Sequence, residues 1–86
     1  MNLDVEWSEP AERDMRRLDK TIAEQIRRAG ARFAADGQGD VAPLRPPLSG
    51  YRLRVRDWRV MFYLDREART LTVRTVEHRS RAYRQQ

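Results

Sequence analysis

From Tyr51 to Tyr63 the chain alternates apolar side chains with arginine. Leu53 and Val55 are interleaved with Arg52, Arg54 and Arg56, and Trp58-Arg59-Val60 resumes the pattern after Asp57. Successive side chains of a strand point to opposite faces. The segment therefore constrains the chain to a sheet, with Leu53 and Val55 entering a core and the arginines together on the other side. Two more runs, 58–65 and 70–77, have strand composition, with Asp57 at the first turn and Arg66-Glu67-Ala68-Arg69 at the second. Strands in sequence with short turns imply an antiparallel meander.

The amino-terminal part reads differently. Leu3, Val5 and Trp7 alternate with Asp4 and Glu6, as in a half-buried strand. Ser8 can cap a helix whose first turn holds Glu9, Pro10 and Glu12, and whose apolar face carries Ala11, Met15 and Leu18. Asp19 is a second cap. Ile22, Ile26, Ala29 and Phe33 then mark one face of a longer helix, with Gly37 a plausible stop. Residues 37–49 are rich in Gly and Pro and read as a long irregular connection. The expected fold is one α+β domain over residues 1–86. Its amino-terminal strand and helical hairpin pack on one face of an antiparallel sheet, and the arginine face stays open.

Charge is distributed unevenly between the halves. Residues 1–43 carry seven Lys/Arg against nine Asp/Glu, whereas 44–86 carry eleven Arg against four Asp/Glu. A basic sheet half calls for an anionic partner, nucleic acid first. Cysteine is absent, which excludes disulfides and thiolate metal sites. No carboxylate pair, metal-ligand cluster or glycine-rich phosphate loop stands out, so neither a metal nor a cofactor is expected. No apolar run approaches the roughly 20 residues that span a bilayer, and Met1–Val5 lacks the features of a signal peptide. The expectation is a soluble cytoplasmic protein without membrane association.

The pattern Leu48-Ser49-Gly50-Tyr51-Arg-Leu-Arg-Val, then Trp58-Arg-Val-Met-Phe-Tyr63, then Val76-Glu-His-Arg79 with Tyr83, resembles the RelE/ParE superfamily of bacterial toxins. The opening Val5-Glu-Trp-Ser-Glu-Pro-Ala-Glu-Arg-Asp is similar to that family's amino-terminal segment. The resemblance implies a microbial-RNase-like fold and a cognate antitoxin encoded beside the toxin. It also implies operator DNA binding only through the toxin–antitoxin complex. The RelE branch implies mRNA cleavage on the ribosome, and the ParE branch implies inhibition of DNA gyrase. By the same resemblance, Arg52 and Arg54 flank the scissile phosphate, where the best-understood members carry lysine. Arg59 would stabilise the transition state, Arg79 would match an arginine after the last strand, Tyr83 would stack on a base or assist proton transfer, and His78 would fall at a position that is histidine in several RelE-like nucleases.

The chemistry sorts these side chains by role. Metal-independent RNA cleavage needs a base for the 2′-OH, an acid for the 5′-oxygen, and cations around the phosphorane. The planar fork of arginine matches two phosphate oxygens but makes a poor base, its ordinary pKa being about 12.5–13.8. Histidine is the residue type that ordinarily titrates near neutrality, and His78 is the single example. The expected catalytic set is Arg52, Arg54, Arg59 and Arg79 on phosphate, with His78 and Tyr83 sharing proton transfer, all converging at one edge of the open face. Arg56, Arg81, Arg84, Arg13, Arg16 and Arg17 are expected to make further RNA contacts. A solvated surface is the bland alternative for the helix arginines, which alternate with acids.

Overall fold

Ser8 and Asp19 start two helices as their residue types lead one to expect. The Ser8 hydroxyl accepts from the Ala11 N–H, and the Asp19 carboxylate accepts from the Thr21 N–H. Gly37, at φ 80°, closes the second helix in the left-handed conformation. The computed structural model describes residues 1–84, with side chains through Arg81. Its elements run β1 (Asp4–Trp7), α1 (Glu9–Arg16), α2 (Lys20–Asp36), β2 (Asp40–Pro43), β3 (Tyr51–Val55), β4 (Trp58–Asp65), β5 (Thr70–His78) and α3 (Arg79–Arg84).

The five strands form one sheet in the order β1-β5-β4-β3-β2. Strands β3, β4 and β5 make the expected antiparallel meander. Two features depart from expectation. β1 pairs with β5 in parallel, so the sheet is mixed. The helical hairpin follows β1, so no tight turn forces an antiparallel neighbour on it. The stretch expected to be irregular also contains β2, which pairs antiparallel with β3 and sets Val41 opposite Leu53. That strand exists through tertiary pairing rather than local propensity, and Asp40 and Pro43 at its ends suit an outermost strand.

One face of the sheet holds the core. Val41, Leu53, Val60 and Val76 lie in one cross-strand row, and Tyr51, Phe62 and Val73 lie in the next. Helices α1 and α2 cover these rows with Ala11, Met15, Ile26, Phe33 and Ala34. The Phe62 ring packs against both Phe33 and Tyr51, with centroids 5.5 and 5.6 Å away. Phe62, Ile26, Val60 and Val73 are essentially inaccessible. Burial of each contributes about 1.5–3 kcal/mol.

β1 covers β5 only along Thr70–Val73. Beyond that point α1 stands in for a neighbouring strand. The Ser8 hydroxyl donates to the Arg74 carbonyl at 2.8 Å, and the Asp14 carboxylate accepts from the Val76 N–H at 2.9 Å. These bonds satisfy backbone groups that a buried edge cannot leave open.

A β-bulge decides which side chains of β5 reach each face. Met61 pairs with Thr75 but Phe62 pairs with Val73, which leaves Arg74 as the extra residue. Strict alternation from Leu71 and Val73 would send Val76 and His78 to the face away from the helices. The bulge reverses the phase, so Val76 joins the core and Glu77 takes the opposite face.

Candidate functional site

The face away from α1 and α2 carries a row of charges across four strands. Asp40 is in register with Arg54, Arg54 with Arg59, and Arg59 with Glu77. The next row is Ala42, Arg52, Met61 and Thr75. Arg52, Arg54 and Arg59 are thereby gathered on one surface. Like charges directly across strands oppose each other, and the acids at both ends offset this. Arg52 Nη1 lies 3.4 Å from Asp40 Oδ1 and also donates to the Asp40 carbonyl at 3.2 Å. Arg54 Nε lies 3.7 Å from the other carboxylate oxygen.

Arg59 differs from its neighbours. At 3 % exposure it is the one buried charged residue among those described. Its Nη1 donates to the carbonyls of Arg56 at 3.4 Å and Trp58 at 3.2 Å. The β3–β4 turn therefore holds this guanidinium in place. A cation desolvated and oriented in this way is a preorganised electrostatic group, since its field is little screened by water.

Arg56 sits in that turn rather than in the strand row. It adopts φ 55°, a left-handed conformation uncommon for a residue with a side chain, and it is solvent-exposed. Strand β3 ends at Val55, so the expected third arginine of the row belongs to the hairpin tip. Its carbonyl is one of the acceptors of Arg59 Nη1.

His78 falls on the helix side of β5. It is in register with Trp58 and meets that ring edge-on at 5.2 Å, while its Nδ1 lies 3.1 Å from the Ser80 hydroxyl. The Arg74 bulge is the reason, because it moves His78 off the face that carries Arg54 and Arg59. His78 instead lines a cleft of about 430 Å3 between α1 and β5, together with Trp58, Arg13, Arg17 and Arg81. Arg13 also lies 3.5 Å from Glu9. Arg16 is exposed on α1 outside this cleft. Arg79 begins α3, where its N–H donates to the Asp57 carbonyl at 2.7 Å and its guanidinium lies 3.9 Å from the Asp57 carboxylate. The side chains of Tyr83 and Arg84 lie outside the described residues.

Two acids outside the expected catalytic set, Asp40 and Glu77, share the arginine face. Asp40 lies in a segment whose Gly and Pro content conceals a strand. Glu77 takes the arginine face only because of the bulge, which local composition does not announce. Among the described residues no cluster of His, Asp and Glu is arranged to hold a metal ion, and no helix is long and apolar enough to cross a membrane.

A mixed five-stranded sheet with a helical hairpin on one face and clustered arginines on the other defines a small toxin fold. Residues 5–83 match the family described as ParE toxin of type II toxin-antitoxin system, parDE, and the chain belongs to that family, within the RelE/ParE superfamily of type II toxins. The toxin–antitoxin complex RelBE2 from Mycobacterium tuberculosis contains a similar chain. That chain is 25% identical, the match covers 92% of this chain and 100% of that one, and the TM-score is 0.81. A mutant of E. coli toxin RelE in the free state gives 19% identity, 96% and 90% coverage, and a TM-score of 0.79. The intact E. coli RelBE toxin-antitoxin complex gives 18% identity, 88% and 95% coverage, and 0.72. Among curated proteins none matches significantly.

Proposed function

We propose that this toxin is a ribosome-dependent mRNA endoribonuclease that arrests translation in the cytoplasm. The observation that carries the reading is the grouping of Arg52, Arg54 and Arg59 on the face away from α1 and α2. A phosphodiester lying there receives the planar forks of two accessible arginines and the fixed field of a buried one. Asp40 competes for Arg52 and Arg54. Its side chain is 56% exposed, and such pairs are worth only about 0–1 kcal/mol each. A phosphate can displace it.

Proton transfer is assigned to the open face. Glu77 stands in register with Arg59, and its carboxylate is the proposed acceptor for the 2′-OH proton. Tyr83 is the proposed donor to the leaving 5′-oxygen, a role that rests on the family resemblance. Arg79 is a further phosphate contact at the end of β5. Arg13, Arg16, Arg17, Arg56, Arg81 and Arg84 contact ribosomal or messenger RNA as point charges.

The proposed partner is a cognate antitoxin that carries an acidic amphipathic segment. A groove of about 480 Å3 between α2 and β3 suits it, with an apolar floor of Ala29, Leu53 and Val55 and a rim of Arg28, Arg32 and Arg54. Occupying the groove would also engage Arg54 and remove it from the phosphate site. Several of the structural relatives are toxins seen in complex with their antitoxins, which supports this partner. Operator DNA would be bound by the complex rather than by the toxin alone.

A second reading, inhibition of DNA gyrase without nuclease chemistry, is favoured by the self-neutralising Asp40–Arg54–Arg59–Glu77 row and by the position of His78. The two readings are separated by inducing the gene and mapping mRNA 5′ ends. New ends within codons support the nuclease. DNA breaks with an SOS response and intact mRNA support the gyrase reading.

A further inference from the structure

Tyr63 is a large aromatic side chain on the face away from α1 and α2 that remains exposed, at 41%. Apolar burial does not explain it, and the surroundings hold its ring in a set position. The Arg74 guanidinium lies over the ring, 4.7 Å from the centroid. Arg74 is the bulged residue of β5, and the bulge keeps its side chain on the same face as Tyr63. The chain passes the ring edge at Gly50, where a Cβ would come within 3.1 and 3.2 Å of Tyr63 Cδ1 and Cε1 and 2.7 Å of the Phe62 carbonyl oxygen. Gly50 adopts φ 99°, a conformation open to glycine. Backbone on one side and a cation on another fix the ring while leaving much of it open to solvent.

Its placement relative to the arginines gives this ring a use. Arg59, Met61 and Tyr63 alternate along β4 on the same face, which puts Tyr63 about 13 Å from Arg59 at the strand rise. A short stretch of single-stranded RNA spans that distance. Every base has a π-face, so an exposed aromatic beside a cationic strip is the usual means of seating single-stranded nucleic acid.

We propose that Tyr63, backed by Arg74, is a stacking site for a nucleobase next to the phosphate held by Arg52, Arg54 and Arg59. The inference rests on the RNA-cleaving reading and adds a subsite to it. Tyr63 binds the base through its ring, so the hydroxyl is dispensable. Arg74 orients the ring and adds its own planar surface.

The test measures equilibrium binding of the full chain to ribosomes programmed with an mRNA that is 2′-O-methylated across the A-site codon and so resists cleavage. Tyr63→Leu should weaken binding by about 5- to 150-fold, the range for loss of one stacked base. Tyr63→Phe should bind like the wild type. Placing an abasic residue at each codon position in turn should weaken wild-type binding at one position, and Tyr63→Leu should be insensitive there. Equal affinity and an identical abasic profile for Tyr63→Leu would overturn the stacking site. If the wild type also fails to cut the unmodified mRNA and Arg54→Ala binds as well as wild type, the RNA-cleaving reading itself falls. A silent Tyr63 alongside a sensitive Arg54 removes the subsite alone.

Discussion

Asp40 holds the accessible arginines of the site in check, and its removal has a calculable effect. Its two carboxylate oxygens approach Arg52 at 3.4 Å and Arg54 at 3.7 Å. Asp40 is 56% exposed, with Arg54 exposed and Arg52 half-buried, and a pair open to water in this way is worth about 0.2–1 kcal/mol. An RNA phosphate must break both, so Asp40→Asn should relieve about 0.4–2 kcal/mol and tighten binding by about 2- to 30-fold. The fold should change little, because the backbone carbonyl of Asp40 still accepts from Arg52. The assay is binding to programmed ribosomes at two salt concentrations, with urea melts as a control. Freeing the arginines should also steepen the salt dependence, by about 0.7 in log–log slope for each additional phosphate neutralised on a single strand. Unchanged or weaker binding by an Asp40→Asn protein that melts normally would refute the claim that Arg52 and Arg54 face the phosphate.

The remaining expectations concern chemistry and the scaffold beneath it. Glu77→Gln should lower the cleavage rate by about 100- to 10,000-fold, the usual worth of a general base, while ribosome binding is retained. His78→Ala should cleave at close to the wild-type rate, since its ring faces the helix side; single-turnover kinetics compare the two. Gly50→Ala places a Cβ 2.7 Å from the Phe62 carbonyl at φ 99°, and should cost about 2–5 kcal/mol in urea unfolding from strain and overpacking together. Arg56→Gly relieves a left-handed arginine at φ 55° and should gain about 1 kcal/mol, raising Tm by roughly 4–8 °C.

The hairpin of β3 and β4 was legible because Leu53 and Val55 alternate with arginines and one face must be buried. The helix starts were legible because Ser8 and Asp19 cap by a local mechanism, with the accepting oxygen within three residues of the donor. β2 was not, since residues 40–43 gain strand character only from pairing with β3. The parallel pairing of β1 depends on how the helical hairpin crosses the sheet, which periodicity does not encode. The shared face of Arg52, Arg54 and Arg59 was legible because the alternation that buries Leu53 and Val60 necessarily groups them. His78 and Glu77 exchanged faces through one extra residue at Arg74. A slip of a single position in a period-two element inverts every side chain after it, and here it moved His78 off the arginine face and Glu77 onto it.

Single-turnover cleavage of an mRNA held in the ribosomal A site, by wild-type toxin and by Arg54→Ala, addresses the phosphate site most directly. Arg54 is 44% exposed in its side chain, so its loss should leave the fold intact, unlike that of buried Arg59. The wild type should cut within the A-site codon, and Arg54→Ala should cut about 100- to 1,000-fold more slowly, as expected when one transition-state donor is removed. No cut by the wild type, or an undiminished rate in Arg54→Ala, would contradict a phosphodiester bound on the arginine face.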